Sequence, residues 1–222
     1  MSLPRAVEAV VFDMDGLIVD TETLFRDVMM EVSRRRGLHL PLEVFLRMVG
    51  LQRDGSREVA LGHFGPDFDF DSWNDEAWAL ARARVEVGVA LKAGVLELLD
   101  DLDRMGIPRA VATSSGHPTV ARQLGPHGLL DRFQAILAAG DYERGKPYPD
   151  PFLAAADRLG VHPSGCLALE DSHNGVRAAH AAGMMTIMVP DLLEATEEMQ
   201  RLCVAVTGTL HGVRDLLAAQ RG

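Results

Sequence analysis

The chain has 222 residues, of which 47% are hydrophobic and 24% charged, with a formal net charge of −10. That is enough chain and enough apolar content for one full α/β domain plus a smaller one. The acidic balance argues against nucleic acid or an anionic membrane as partner. The first predicted element is a strand over 7–12, whose apolar run Val10-Val11-Phe12 leads straight into Asp13-Met14-Asp15-Gly16. From 23 to 87 the pattern is helical. Leu24, Phe25, Val28, Met29 and Val32 keep helix spacing and stop at Gly37, and helices over 42–49, 56–63 and 72–87 follow. In the last of these Trp73, Ala77, Leu80, Ala81 and Val85 lie on or near one face, as a bundle core would. Arg34-Arg35-Arg36 reads as the cationic end of the first helix rather than a nucleic-acid patch.

From 93 onward helices and strands alternate. Helices are expected over 95–102, 119–124, 152–159, 175–182 and 212–219, and strands over 108–113, 134–138, 166–170, 185–189 and 203–206. This alternation predicts a doubly wound parallel α/β sheet, which the strand over 7–12 must join. The helical block is then an insertion. The expected organisation is a catalytic core over 1–19 plus 90–222 and a helical cap over 20–89. Two linkers, near 17–22 and 88–93, would allow the cap to hinge, exclude water and add specificity contacts.

Four strand ends carry candidate chemistry. Asp is depleted in strands and cores, so packing alone does not choose Asp13 and Asp15 two residues apart. The pair could end a strand at a plain turn, or supply a nucleophile and a general acid/base. A calcium loop is excluded, because its later ligand positions fall on Leu17, Val19 and Leu24. A carboxylate nucleophile facing a phosphate dianion needs a divalent cation and fixed positive partners. Thr113-Ser114-Ser115-Gly116 could cradle phosphate oxygens or be an ordinary turn. Lys146, in a proline-stiffened loop, is one of only two lysines among 22 basic residues, and an ammonium is a compact phosphate binder. Glu170-Asp171 offers hard oxygen ligands suited to Mg2+, or a helix N-cap. In open parallel sheets ligands bind at the carboxyl ends of strands, where all four pieces fall.

The remaining signals are quieter. Cys166 and Cys203 sit in apolar runs without zinc or redox spacing, and the eight histidines show no ligand spacing. Reduced thiols, with no leader or membrane-length apolar run read in the chain, make the cytoplasm the expected location. A monomer or weak homo-oligomer is expected.

In its order of motifs (Asp13-Met14-Asp15-Gly16, Thr113-Ser114, Lys146-Pro147, Glu170-Asp171-Ser172) the chain resembles the haloacid dehalogenase superfamily. It is most similar to the branch of β-phosphoglucomutase-like proteins and sugar-phosphate phosphatases, over nearly its whole length. The resemblance implies a Rossmannoid core with a helical cap, and an aspartyl-phosphate on Asp13. It implies that Asp15 protonates the leaving oxygen and then deprotonates the attacking water. Met14, Thr113, Ser114 and Lys146 would bind the phosphoryl group. Asp13, the Asp15 main-chain carbonyl and Asp171 would bind Mg2+, with Glu170 on its waters. In the mutases, the resemblance further implies two basic cap residues, whose positions fall here on Phe25 and Val49. Their loss favours hydrolysis of a sugar or polyol phosphate over a phosphomutase, with Glu22 and Arg53 as cap candidates for substrate contact. A phospho-acceptor receiver domain or a silent binding protein fits less well: receivers order the acids differently and lack the insertion, and a silent relative would be expected to have lost a motif acid.

Overall fold

The computed structural model describes residues 3–220; residues 1–2 and 221–222, at the outer ends of the expected core, lie outside them. The chain divides into two compact units. One is the described chain up to Asp20 together with everything described from Ala90 on, and the other is Thr21–Val89.

The chain enters the first unit as strand β1 (Ala9–Phe12), all four residues of which are buried. It then builds the second unit from helices α1 (Thr21–Arg35), α2 (Leu42–Leu46), α3 (Arg53–Phe64) and α4 (Phe70–Val87). Helix α1 packs on α4, with Val28, Met29 and Val32 buried on one and Phe70, Trp73, Ala77 and Ala81 on the other. Two buried polar groups on this seam satisfy each other. Trp73 Nε1 donates to Ser33 Oγ (3.0 Å), which itself donates to the Met29 carbonyl (2.8 Å). After Arg35 the backbone turns at Gly37, whose φ of 70° suits glycine, and two of the three consecutive arginines are committed within the unit: Arg36 donates to Glu76 (2.8 Å) and Arg35 to Glu31 (2.5 Å). Helices α1, α3 and α4 begin two or three residues before their predicted starts. At α4 the reason is visible, since the Asp69 side chain accepts from Ser72 N (3.1 Å) and caps the helix.

Back in the first unit the chain runs through α5 (Val95–Met105), β2 (Arg109–Ala112), α6 (His117–Leu124), β3 (Ala135–Leu137), α7 (Asp150–Leu159), β4 (Cys166–Glu170), α8 (His173–Ala181), β5 (Met185–Met188), α9 (Glu197–Leu202), β6 (Ala205–Val206) and α10 (Leu210–Ala218). The six strands form one parallel sheet in the order β3-β2-β1-β4-β5-β6, flanked by helices. Strands β1, β2, β4 and β5 are buried throughout, as both-sided coverage of a parallel sheet requires. On one face Ala9, Val11, Ala110, Ala112 and Ala168 meet Phe152, Ala155 and Ala156 of α7 and Ala178 and Ala179 of α8. Small side chains on both sides let these helices approach the sheet closely.

Register sets the stage for chemistry. Phe12 lies opposite Val111 on one side and Leu169 on the other, so Asp13, the β2 end and Glu170 emerge side by side. β1 and β4 are also where the strand order reverses, the switch point at which open sheets leave a crevice. At the base of the insertion the outgoing and returning chains pair with each other: Asp20 N donates to the Ala90 carbonyl and Lys92 N to that of Ile18, both at 2.9 Å. Helix α9 has no counterpart among the predicted elements. It is six residues long with one buried side chain, Met199, too little for a periodic signal. Among the described residues no helix is long and apolar enough to cross a membrane.

Candidate active site

Asp13 follows β1 directly, and its backbone N donates to the Leu169 carbonyl (2.9 Å), fixing it beside the end of β4. Its side chain is buried. Lys146 arrives from the loop before α7, with its side chain only 7% exposed, and its Nζ donates both to Asp13 Oδ1 and to Glu170 Oε1 (2.6 Å). Glu170, the last residue of β4, is fully buried. Its other oxygen accepts from Ser172 Oγ (3.0 Å) and from the backbone N–H groups of Asp171 and Ser172 (both 3.2 Å). This carboxylate lies so close to the first turn of α8 that a Cβ on Gly175 would sit 1.8 Å from Oε1; only glycine fits there. Ser172 caps α8 by accepting from Gly175 N (3.1 Å).

Asp13, Glu170 and Asp171 each offer a carboxylate oxygen, all within 4.8 Å of one another. With Lys146 the cluster brings together three carboxyl groups and one ammonium. Burial pushes the Asp13 carboxyl up to about 8; Lys146 pulls the other way, while the charges of Glu170 and Asp15 add to the rise. Burial also works against the Lys146 ammonium, yet Asp13 and Glu170 outweigh it and hold its pKa above the ordinary value. A crowded set of three carboxyl groups, all offering oxygen, is the donor chemistry that a hard divalent cation satisfies.

The other expected residues take distinct places. Asp15 is not one of the three converging carboxylates; its Oδ2 accepts from Ser115 Oγ (2.8 Å). The turn carrying it is held by the Met14 carbonyl, which accepts from the N–H groups of Leu17, Ile18 and Val19, while Gly16 takes a φ of 81°. Met14 itself is buried. Thr113 is buried one residue beyond β2, and its Oγ1 accepts from Ser115 N (3.0 Å), which leaves the hydroxyl proton to donate elsewhere. Ser114 is exposed. Glu22 and Arg53 belong to the helical unit, where both line one cavity; Arg53 donates to Asp71 (2.8 Å) and Asp75 (3.0 Å). Two residues here escaped the sequence reading as partners. Ser115 holds Asp15, and Tyr142 donates from its hydroxyl to the Thr113 carbonyl (2.8 Å), tying the lysine loop to the threonine loop. A third consecutive hydroxyl after Thr113-Ser114 was a usable signal for Ser115; Tyr142 carried none.

Comparison with known proteins agrees in scale with this arrangement. Residues 7–183 match the haloacid dehalogenase-like hydrolase family. A relative named "Probable pseudouridine-5'-phosphatase", from Drosophila melanogaster, is 38% identical over 84% of this chain and 83% of its own. Hexitol phosphatase B of Escherichia coli (strain K12) is 34% identical over 86% of both. Among solved structures, a HAD family hydrolase from Deinococcus radiodurans R1 with bound phosphate and sodium superposes with a TM-score of 0.82, at 31% identity and 96% coverage of each chain. A family match over most of the length, with named phosphatases at this identity, places the chain in the haloacid dehalogenase-like hydrolase family, as an enzyme of its phosphatase type.

Proposed function

We propose that the protein is a Mg2+-dependent phosphomonoesterase that hydrolyses a small sugar or polyol phosphate through an aspartyl-phosphate on Asp13. The observation that carries this reading is the convergence of Asp13, Lys146, Glu170 and Asp171 at the ends of β1 and β4 and on the lysine loop. Asp13, the Asp15 main-chain carbonyl and Asp171 would hold the cation, with Glu170 on its waters; when bound, it would neutralise charge on the phosphoryl oxygens. Lys146 and the free hydroxyl proton of Thr113 would hold those oxygens, aided by the backbone of Met14 and Ser114.

The Asp13 carboxylate attacks phosphorus, and the bond from phosphorus to the leaving oxygen breaks. Asp15 gives its proton to that oxygen, so the alcohol departs neutral. Asp15, now a carboxylate, takes a proton from water as the water oxygen attacks phosphorus. The bond between phosphorus and the Asp13 oxygen breaks, and phosphate leaves. Ser115 keeps Asp15 oriented through both halves. In this reading Thr21–Val89 is the cap that sets substrate choice. Hydrolysis is favoured over mutase chemistry because Phe25 and Val49 are apolar and Arg53 is already committed to two carboxylates.

Turnover of p-nitrophenyl phosphate tests the reaction. It should be abolished by EDTA and fall by about 10^4 or more in Asp13→Asn. Turnover that survives the Asn change overturns the covalent route. Hydrolase is separated from mutase with β-glucose 1-phosphate and a trace of bisphosphate: glucose 6-phosphate accumulating faster than inorganic phosphate overturns hydrolysis.

A further inference from the structure

Within the α/β unit, two neighbouring loops leave the paired strands β2 and β3: 113–117 leads into α6, and 138–142 runs on toward Lys146. Thr113 N donates to the Leu137 carbonyl and Ala139 N to that of Ser115, both at 2.9 Å. Tyr142 donates from its hydroxyl to the Thr113 carbonyl (2.8 Å), and His117 Nε2 lies 2.8 Å from Asp141 Oδ2. Asp141 and Tyr142 are adjacent in the chain but reach opposite ends of the first loop. Tyr142 takes the Thr113 end, and Asp141 takes the His117 end. Between these two anchors lies Ser115, whose hydroxyl donates to Asp15 Oδ2 (2.8 Å).

The Asp141 carboxylate is itself held in place. Its Oδ2 also accepts from Ala138 N (2.9 Å), and Asp141 N donates back to the Ala138 carbonyl (3.0 Å). The Ala138 N–H, then the His117 ring, hold the Asp141 carboxyl below its ordinary range, so it is an anion at neutral pH. An anionic acceptor at this distance requires a proton on Nε2, which both the Nε2–H neutral imidazole and the imidazolium supply. The link therefore does not depend on the charge of the ring. The His117 side chain is 57% exposed, so the pair adds little to fold stability. What it fixes is position, and small displacements of a catalytic group cost rate.

We propose that His117 and Asp141 are positioning residues: together they pin the end of the 113–117 loop so that the Ser115 hydroxyl holds Asp15 in place for proton transfer. They act through Ser115 rather than on the ester itself. The two anchors then serve different steps. Tyr142 steadies Thr113, which holds phosphoryl oxygens, and Asp141 steadies the acid. For its effect on rate, though not for the loop contact itself, this rests on the phosphomonoesterase reading of the Asp13 site.

Two measurements on the full chain test it. In the first, kcat and KM are compared for sorbitol 6-phosphate and p-nitrophenyl phosphate in the wild type, His117→Ala, His117→Gln and Asp15→Asn. His117→Ala should lower kcat about tenfold on the alkyl ester and no more than about twofold on the aryl ester, whose leaving group needs little protonation, with KM unchanged within about twofold on both. His117→Gln, which keeps an N–H donor for Asp141, should recover most of the loss. Equal losses on both esters, a raised KM in place of a lowered kcat, no loss at all, or a Gln variant as slow as the Ala variant overturns the inference. In the second, amide hydrogen exchange at Ala139 N–H is followed by NMR in the wild type, His117→Ala and Asp141→Ala. Exchange about fivefold faster or more in both variants supports the link between the loops, and exchange at the wild-type rate in either overturns it. If the wild type turns over neither ester, or Asp15→Asn loses equally on both, the reading of the Asp13 site fails instead, and exchange at Ala139 still decides whether the pair holds the loops together.

Discussion

Lys146 in the α/β unit and Arg53 in the helical unit are both cations held by two carboxylates, and they differ in almost everything else. Lys146 is nearly inaccessible and reaches residues 133 and 24 positions away in sequence. Arg53 is half exposed and reaches only 18 and 22 positions along the chain, to acids that are themselves exposed. Withdrawing several charges from water is costly, and a buried pair of this kind adds little net stability. Such a cluster persists where its chemistry is needed. The exposed pair is screened by solvent and is free to change. One unit is therefore constrained at almost every site residue, and the other is constrained mainly by the shape and lining of its cavity.

The largest effect that would sharpen this contrast is expected at Asp15. Asp15→Asn keeps size and the Ser115 contact but removes proton transfer, so kcat should fall by about 10^2 to 10^4 with an alkyl phosphate. The loss should be smaller with p-nitrophenyl phosphate, whose leaving group needs little protonation. Equal losses on both esters would show that Asp15 does not move the leaving-group proton. Next comes Gly175→Ala, the addition of a single methyl. It drives a Cβ into the Glu170 carboxylate and should destabilise the fold by about 1–3 kcal/mol in urea unfolding. A wild-type midpoint would mean that Glu170 moves aside without penalty, and the tight packing attributed to the α/β unit would not hold. Tyr142→Phe should leave kcat nearly intact and raise KM a few-fold, because it loosens the Thr113 loop by one hydrogen bond. An unchanged KM would make Tyr142 a bystander.

How far the sequence could be read follows the same division. Asp13, Lys146, Glu170 and Asp171 stood out because acids at the ends of apolar strands, and a lysine in an arginine-rich chain, are unusual choices for packing alone. The parallel sheet was legible from the alternation of helix and strand, and the insertion from where that alternation broke. Ser115 and Tyr142 were missed as partners because their contacts span 100 and 29 residues and exist only once the loops meet. The requirement for glycine at 175 was hidden for the same reason: it depends on where Glu170 ends up.

The smallest expected effect is at Arg53, and it tests the other side of the comparison. Both of its acceptors are exposed, and Asp71 keeps a second partner, since Arg57 donates to it at 2.7 and 2.8 Å. These guanidiniums, Arg57 first and then Arg53, hold the Asp71 carboxyl well below its usual range, so the acid stays ionised when one partner is removed. Arg53→Gln should accordingly leave the urea midpoint of unfolding unchanged within error, at low salt and high salt alike. A clear shift at low salt that vanishes at high salt would show that the surface charges of the helical unit act as a network. The distinction between a constrained α/β unit and a permissive helical one would then lie in solvent screening rather than in burial.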